Sequence, residues 1–244
     1  MMWKENAMQW IKTSRFKILG LALTVLGLVG LFALLEFIDF SGDRQSGALN
    51  ANVAGVELPD GARVERFDFV KKGIEEWKTV DGKWTVEEMP GAPSGKKVLV
   101  QRAVGNTFNV TVAPSGPYTD VDVSVRFKPI SGREDASGGI IFRFSEGRYY
   151  VVRANALEDN FRLYYYDRGR RQLATATVQP PTLGQWHTLR VVAVGDHIQA
   201  YLNGQLLLDH RDSRFRSGQV GLWTKADSIT AFDDFVVRGI SGGK

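Results

Sequence analysis

Four phrases near the C-terminus decide the fold: residues 186–192 (WHTLRVV), 201–205 (YLNGQ), 221–228 (GLWTKADS) and 232–237 (FDDFVV). Each combines a short apolar run with turn-forming residues. Asn203-Gly204 lies between two apolar runs, and this dipeptide favours the positive φ angles of a two-residue hairpin turn. The series therefore predicts one short antiparallel strand after another.

The same pattern of short strand-like runs separated by turn residues extends back to residue 63. Turn signals such as Asp81-Gly82, Pro90-Gly91 and Glu146-Gly147 recur between strand-like runs, and residues 120–128 (DVDVSVRFK) alternate strictly between polar and apolar. Such alternation gives a strand with one face in a core and the other in water. Sustained helical periodicity is absent after residue 40. We therefore predict an all-β sandwich over residues 63–240.

The N-terminal part has a different pattern. Residues 18–35 carry no charge and would form about 27 Å of helix, and extension to residue 40 would span a bilayer. Lys4, Lys12, Arg15 and Lys17 precede the run. By the positive-inside rule, the N-terminus is then cytoplasmic and the rest of the chain extracytoplasmic.

This pattern predicts a basic cytoplasmic tail (residues 1–17), a transmembrane helix (18–40) and a flexible Gly/Ala/Asn/Ser-rich linker (41–62). A cleaved secretory signal is the alternative, but such signals end in a small-residue cleavage site. Here the sequence EFIDF follows the apolar run. We therefore expect an uncleaved, single-pass anchor.

Composition narrows the possible chemistry. The 244-residue chain has no cysteine and a formal net charge of +4, so disulfides, thiolate metal sites and cysteine nucleophiles are excluded. The mild positive excess fits either an ordinary solvated surface or attraction to anionic surface polymers. Nucleic acid is not an expected partner.

The order of the phrases resembles the laminin-G-like, concanavalin A-like lectin/glucanase superfamily, and within it the bacterial domains labelled 3-keto-disaccharide hydrolase or family 16 glycoside hydrolase-like. Residues 67–86 look like an opening strand pair, residues 138–143 (GGIIFR) like a central strand of the concave sheet, and residues 221–237 like a closing pair. The resemblance implies a jelly-roll β-sandwich of two curved antiparallel sheets. In related proteins its concave face or loop rim often binds sugars.

The resemblance also implies a structural calcium ion. Related domains often bind one through an acidic residue near the first strand and an Asp on the last strand, and Asp68 and Asp233 or Asp234 match these positions. Calcium prefers several hard oxygen ligands. The alternative is that these carboxylates cap strand ends or pair with arginines.

On the implied concave sheet, aromatic residues could stack on sugar rings while cationic side chains meet hydroxyl groups. The candidate ligand-binding residues are Arg143, Tyr149, Arg153, Tyr164, Tyr166, Trp223 and Lys225. A core role suits Trp223 better than a sugar platform, and consecutive tyrosines must divide between the two faces of a strand. Residues 168–171 (RGRR) could catch acidic polysaccharide or form a solvated hairpin tip.

Catalysis has weaker support in the sequence. The Glu-x-Asp-x-Glu strand of family 16 enzymes is absent, as are the nucleophile elbow, the phosphate loop and the zinc helix. His210 beside Asp209 is the one candidate acid/base pair. We expect a membrane-anchored carbohydrate-binding domain; a glycoside hydrolase or lyase is the alternative, and a structural or protein-interaction module is the third possibility.

Overall fold

The structure, a computed structural model, describes residues 55–70 and 73–242. Within these ranges the regular structure is entirely β-strand. Accordingly, this part of the chain has no helix that is long and apolar enough to cross a membrane. The predicted tail, transmembrane helix and most of the linker lie outside the described residues and stay predictions.

Fifteen strands are present in the described ranges. In chain order they are β1 (Arg63–Phe67), β2 (Lys78–Asp81), β3 (Trp84–Glu88), β4 (Lys97–Gln101), β5 (Asn106–Val112), β6 (Asp120–Ser131), β7 (Ser137–Ser145), β8 (Arg148–Asn155), β9 (Asn160–Tyr166), β10 (Arg170–Thr177), β11 (His187–Val194), β12 (His197–Leu202), β13 (Gln205–Arg211), β14 (Gln219–Ala226) and β15 (Ile229–Ile240).

The strands form two antiparallel sheets packed as a jelly-roll sandwich. The first sheet has the order β13-β12-β11-β6-β15-β4-β3, with β1 also paired to β15. The second sheet has the order β10-β9-β8-β7-β14-β5-β2. The all-β sandwich is therefore confirmed.

Two of the predicted strand pairings are wrong. β2 and β3 belong to different sheets, and so do β14 and β15, so neither the opening nor the closing pair is a hairpin. Both connections cross from one sheet to the other. Residues 138–143 do lie in the central strand β7, which β8 and β14 flank.

The core lies between the sheets and follows the alternation in the sequence. Along β6, Val121, Val123, Val125 and Phe127 are buried, while the polar residues between them are partly exposed. Residues of the second sheet such as Phe142, Tyr150 and Leu163 belong to the same buried cluster. Burial of these side chains supplies the main driving force for folding.

The Asn203-Gly204 hairpin has the predicted geometry. Both residues have positive φ, at 50° and 83°, and they connect β12 to β13. The Asn203 side chain also accepts a hydrogen bond from the Thr188 backbone N–H at 2.9 Å. The turn thus holds β11 as well as its own two strands.

This turn gives a test of backbone strain. A Cβ added at Gly204 would meet no atom within 4 Å, so Gly204→Ala changes only the cost of positive φ. We expect it to lower the free energy of unfolding by about 1–2 kcal/mol, measured by urea denaturation. Gly169→Ala is the matched control, since Gly169 is equally open but has no positive φ. Equal effects of the two substitutions would contradict this account.

Candidate functional site

The second sheet is apolar on both faces, which is unusual for an antiparallel sheet. Its inner face joins the core. Its outer face carries a separate buried cluster of Val110, Val112, Ile141, Phe144, Tyr149, Val151, Tyr164 and Trp223, against which Phe108 and Tyr166 pack. We call this surface the aromatic face; it includes the polar and charged side chains that cover the cluster.

Stacked rings organise the aromatic face. Tyr149 and Tyr166 lie opposite each other on β8 and β9, with ring centroids 5.1 Å apart and planes 7° apart. Phe108 contacts both Tyr166, at 5.9 Å, and Trp223, at 5.4 Å. Burial raises the pKa of Tyr149, so its hydroxyl stays protonated at neutral pH.

Trp223 forms the floor of this face. The indole is fully buried, and it lies opposite Gly139 on β7. A Cβ at Gly139 would lie 3.2 Å from the Trp223 ring, so glycine makes room for the indole. Trp223 therefore supports the surface, whereas Phe108 and Tyr166 are partly exposed.

Two guanidinium groups meet at Tyr164. The Arg170 guanidinium lies 4.4 Å from the centre of the Tyr164 ring and 5.2 Å from that of Phe108. Arg162 donates from Nη1 to the Tyr164 hydroxyl at 3.3 Å. Cation–π contacts of this kind hold a charged group over a ring. Ring contacts thus hold Arg170 on the aromatic face, and a hydrogen bond orients Arg162.

Arg153 lies deeper and pairs with Glu158. Its side chain is only 2% exposed, and Nη2 donates to Glu158 Oε2 at 2.7 Å. Asn160 donates to the same oxygen at 2.9 Å, and Arg162 lies 3.8 Å from it. Burial alone would raise the pKa of Glu158, but the hydrogen bonds from Arg153 and Asn160 outweigh it and the pKa lies below its ordinary value.

A second ion pair joins Lys225 on β14 to Asp135 in the loop between β6 and β7, at the edge of the aromatic face. Lys225 Nζ lies 3.2 Å from Oδ2 of the buried Asp135, whose Oδ1 accepts a hydrogen bond from Ser228. Asp227 fixes the same loop, because its carboxylate accepts hydrogen bonds from the backbone N–H groups of residues 133–135. Lys225 is therefore neutralised within the protein.

Six of the seven candidate ligand-binding residues share the aromatic face: Tyr149, Arg153, Tyr164, Tyr166, Trp223 and Lys225. Their role in binding stays a prediction. Sequence reasoning missed Phe108, Glu158 and Arg162, and it considered Arg170 only as part of the RGRR segment at residues 168–171, apart from the other candidates. Arg162 alternates with Tyr164 and Tyr166 along β9, and this parity was the signal that could have found it.

Arg143 is placed elsewhere, which corrects the prediction that it lies on the ligand-binding face. A bulge follows Phe142, and Arg143 has a φ of 53°. Its guanidinium donates to the backbone carbonyls of Thr119, Gly195 and Phe215 at 2.6–3.0 Å. Arg143 therefore joins three loops inside the protein.

The candidate calcium residues have hydrogen-bonding roles. Asp233 is fully buried, and its oxygens accept hydrogen bonds from the Ser94 backbone N–H, the Ser94 hydroxyl and the Asp234 backbone N–H. Burial raises its pKa. Asp68 accepts one from the Val70 backbone N–H.

Asp68 and Asp234 also line a groove of about 450 Å³ on the outer face of the first sheet, together with Arg66 and Arg126. Across residues 55–70 and 73–242, no three His, Asp or Glu side chains are grouped to hold a metal ion. The carboxylates alone do not make a calcium site, and an ion would need backbone oxygens as well. Calcium stays a prediction.

The candidate pair of His210 and Asp209 is wrong. These neighbours alternate along β13, so their side chains point to opposite faces. Asp209 instead lies 2.7 Å from Nε2 of His197 and accepts a hydrogen bond from Gln199. Both partners lie on β12 of the first sheet, away from the aromatic face.

Two packed antiparallel sheets with this strand order define the class of the domain, a jelly-roll β-sandwich. Residues 56–238 match the model of the 3-keto-alpha-glucoside-1,2-lyase-like domain, and the chain belongs to that family.

Individual relatives are more distant. A levanase from Bacillus subtilis (strain 168) is 25% identical over 150 residues, which make up 60% of this chain and 20% of the levanase. The chain thus matches only about a fifth of that protein's length. The solved carbohydrate binding module CBM66 from Bacillus subtilis has a TM-score of 0.58 at 22% identity, covering 67% of this chain and 96% of the module.

A Bacillus subtilis protein of unknown function with a galectin-like fold has a TM-score of 0.56 at 13% identity, covering 72% of this chain and 94% of that protein. At these identities the likeness of the solved structures establishes the fold.

The position of Arg143 predicts a structural effect. Arg143→Met leaves three carbonyls without their donor, and we expect it to lower the free energy of unfolding by about 3 kcal/mol or more. Arg148→Met, at an exposed site at the start of the next strand, should change it by less than about 0.5 kcal/mol. Urea denaturation measures both, and unchanged stability in Arg143→Met would show that these contacts are unimportant.

Glu158 predicts a pH dependence. Its pKa in the folded protein lies below the ordinary value of 4.5, so its ionised form stabilises the fold above that pH, and the contribution is lost as pH falls through the lowered pKa. Glu158→Gln should therefore lower the melting temperature at pH 7, and the difference from wild type should shrink below pH 4.5. Glu146→Gln, at an exposed ion pair, is the control. A difference that is constant with pH would contradict the assignment.

Proposed function

We propose that this protein binds carbohydrate on the aromatic face, and that a transmembrane helix at residues 18–40 holds the domain outside the cytoplasm. The observation that carries the proposal is that two partly exposed rings, Phe108 and Tyr166, pack together beside the guanidinium groups that meet at Tyr164. Membership of a sugar-related family and the likeness to a carbohydrate binding module support it. The membrane helix rests on the sequence alone.

Aromatic and arginine side chains would make different contacts with a bound sugar. Tyr166 and Phe108 offer apolar surface to the C–H groups of a sugar ring, while Arg162 and Arg170 donate hydrogen bonds to its oxygens. Ring contacts already hold the Arg170 guanidinium in place, and the hydrogen bond to the Tyr164 hydroxyl orients that of Arg162. Less side-chain entropy is then lost when a ligand binds.

The family description favours one second candidate, a lyase or hydrolase that acts on sugars. A lyase needs a base beside the proton that it removes. Glu158 lies at the aromatic face, but its ion pair with Arg153 lowers its pKa and makes it a weak base. The geometry therefore supports binding better than catalysis.

The test is a glycan-array screen of the full-length protein in detergent, with calcium and with EDTA. Mass spectrometry of each bound sugar separates the candidates: intact sugar supports a binding domain, whereas cleaved or dehydrated sugar supports the enzyme. If binding needs calcium, the ion predicted at Asp68, Asp233 and Asp234 gains support. Failure of every glycan to bind would contradict the proposal and favour a protein partner.

One substitution tests the position of the site. Tyr166→Ala removes a partly exposed ring, and we expect it to weaken binding of the best glycan from the array by about tenfold or more in isothermal titration calorimetry. Tyr201→Ala is the matched control, because this tyrosine packs against Arg190 on the outer face of the first sheet. Unchanged affinity in a folded Tyr166→Ala protein would place the ligand elsewhere.

A further inference from the structure

The aromatic face holds more positive charge than it neutralises. Arg153 and Arg162 lie directly opposite each other on β8 and β9, a position in which like charges repel. Glu158 lies between them, 2.7 Å from Arg153 and 3.8 Å from Arg162. The single carboxylate of Glu158 thus forms ion pairs with two guanidinium groups.

Arg170 adds a third cation without a carboxylate. Among the described residues, no Asp or Glu lies within ion-pair distance of its guanidinium. Aromatic rings hold it instead, with Tyr164 at 4.4 Å and Trp223 at 5.8 Å. Ring faces attract a cation but leave its N–H groups without acceptors.

Several of these N–H groups lack any acceptor in the described part of the chain. Nε and Nη1 of Arg153, Nε of Arg162 and Nη1 of Arg170 are shielded from solvent and have no hydrogen-bond partner. A shielded cationic donor without an acceptor costs free energy. Lys225 does not share this condition, since Asp135 pairs with it.

A ligand can reach this charge through Arg162. About a third of its side chain, 32%, is exposed, whereas Arg153 on the neighbouring strand is 2% exposed. The buried Arg153 therefore contributes positive potential without direct contact, whereas Arg162 and Arg170 can touch a ligand. A guanidinium presents two parallel N–H groups that match the two oxygens of a carboxylate or a sulfate ester.

We propose that the aromatic face recognises an acidic sugar, with the sugar's oxyanion group bound between Arg162 and Arg170 and its ring against Tyr166. The inference rests on the proposed carbohydrate binding and specifies the class of ligand. A neutral hydroxyl could accept one hydrogen bond from these arginines, but it would leave the excess positive charge of the face uncompensated. The oxyanion is either a uronate carboxylate or a sulfate ester.

The experiment compares charged glycans with their neutral forms on the full-length protein in detergent, by isothermal titration calorimetry. One pair is oligogalacturonate and its methyl ester; the other is a sulfated galactan oligosaccharide and its desulfated form. The neutral glycans of the array are measured alongside. We expect at least one charged form to bind about tenfold more tightly than its neutral partner, and its affinity to fall with added salt.

Two substitutions locate the charge. Arg162→Gln and Arg170→Gln should each weaken binding of the charged form by about 10- to 100-fold and weaken binding of the neutral form far less, because a glutamine amide can still donate a hydrogen bond to a hydroxyl group. Arg238→Gln removes the same charge from the first sheet, where Arg238 lies near Asp122, and should have no effect. Melting temperatures of the variants show whether each one folds.

The outcomes separate this inference from the function on which it rests. A preference for the uronate or for the sulfate pair identifies the oxyanion. Equal affinity for charged and neutral forms, or equal losses for both in the arginine variants, overturns the acidic ligand. If only neutral glycans bind, and Tyr166→Ala weakens them, carbohydrate binding stands and the acidic ligand is wrong. If no glycan of either kind binds, both proposals fail.

Discussion

Apolar burial on both faces of the second sheet is the constraint on which the rest of the structure depends. Ile140 and Phe142 face the core, while Ile141 between them is buried on the other side. A jelly roll supplies a partner layer for only one of these faces. The other must be covered by long side chains of the sheet itself, and tyrosine and arginine do this because each has an extended body and a polar end.

This cover explains why the candidate site is both rigid and charged. The Arg170 guanidinium lies over the rings of Tyr164 and Trp223, so it cannot move away without exposing them. Because the side chain must stay over the rings to shield them from water, its positive charge stays there too, whether or not a ligand is present. Stability and the proposed recognition draw on the same contacts, which makes variants at Arg170 informative only when folding is measured as well.

Local sequence rules predicted the features that depend on nearest neighbours. The alternation along β6 and the Asn203-Gly204 turn are set by the chirality and pleat of the backbone. The same rules failed for β14 and β15, because a short connection can cross between sheets as readily as it can form a hairpin.

The rules of alternation also failed for Arg143, because a bulge changes which face of the sheet the following residues occupy. Arg162 was missed although its alternation with Tyr164 and Tyr166 was visible, and the pairing of Arg153 with Glu158 depends on a turn whose geometry the sequence does not reveal.

The placement of β15 has a consequence for biosynthesis. This strand pairs with β1, β4 and β6, so it occupies the middle of the first sheet although it is the last strand in the order of synthesis. Until residues 229–240 leave the ribosome, β6 has an open edge and β1 has no partner. The domain therefore cannot fold strand by strand as it emerges, and long-range pairings of this kind also slow folding. A nascent chain must keep its apolar strands from aggregating until this final segment completes the sheet.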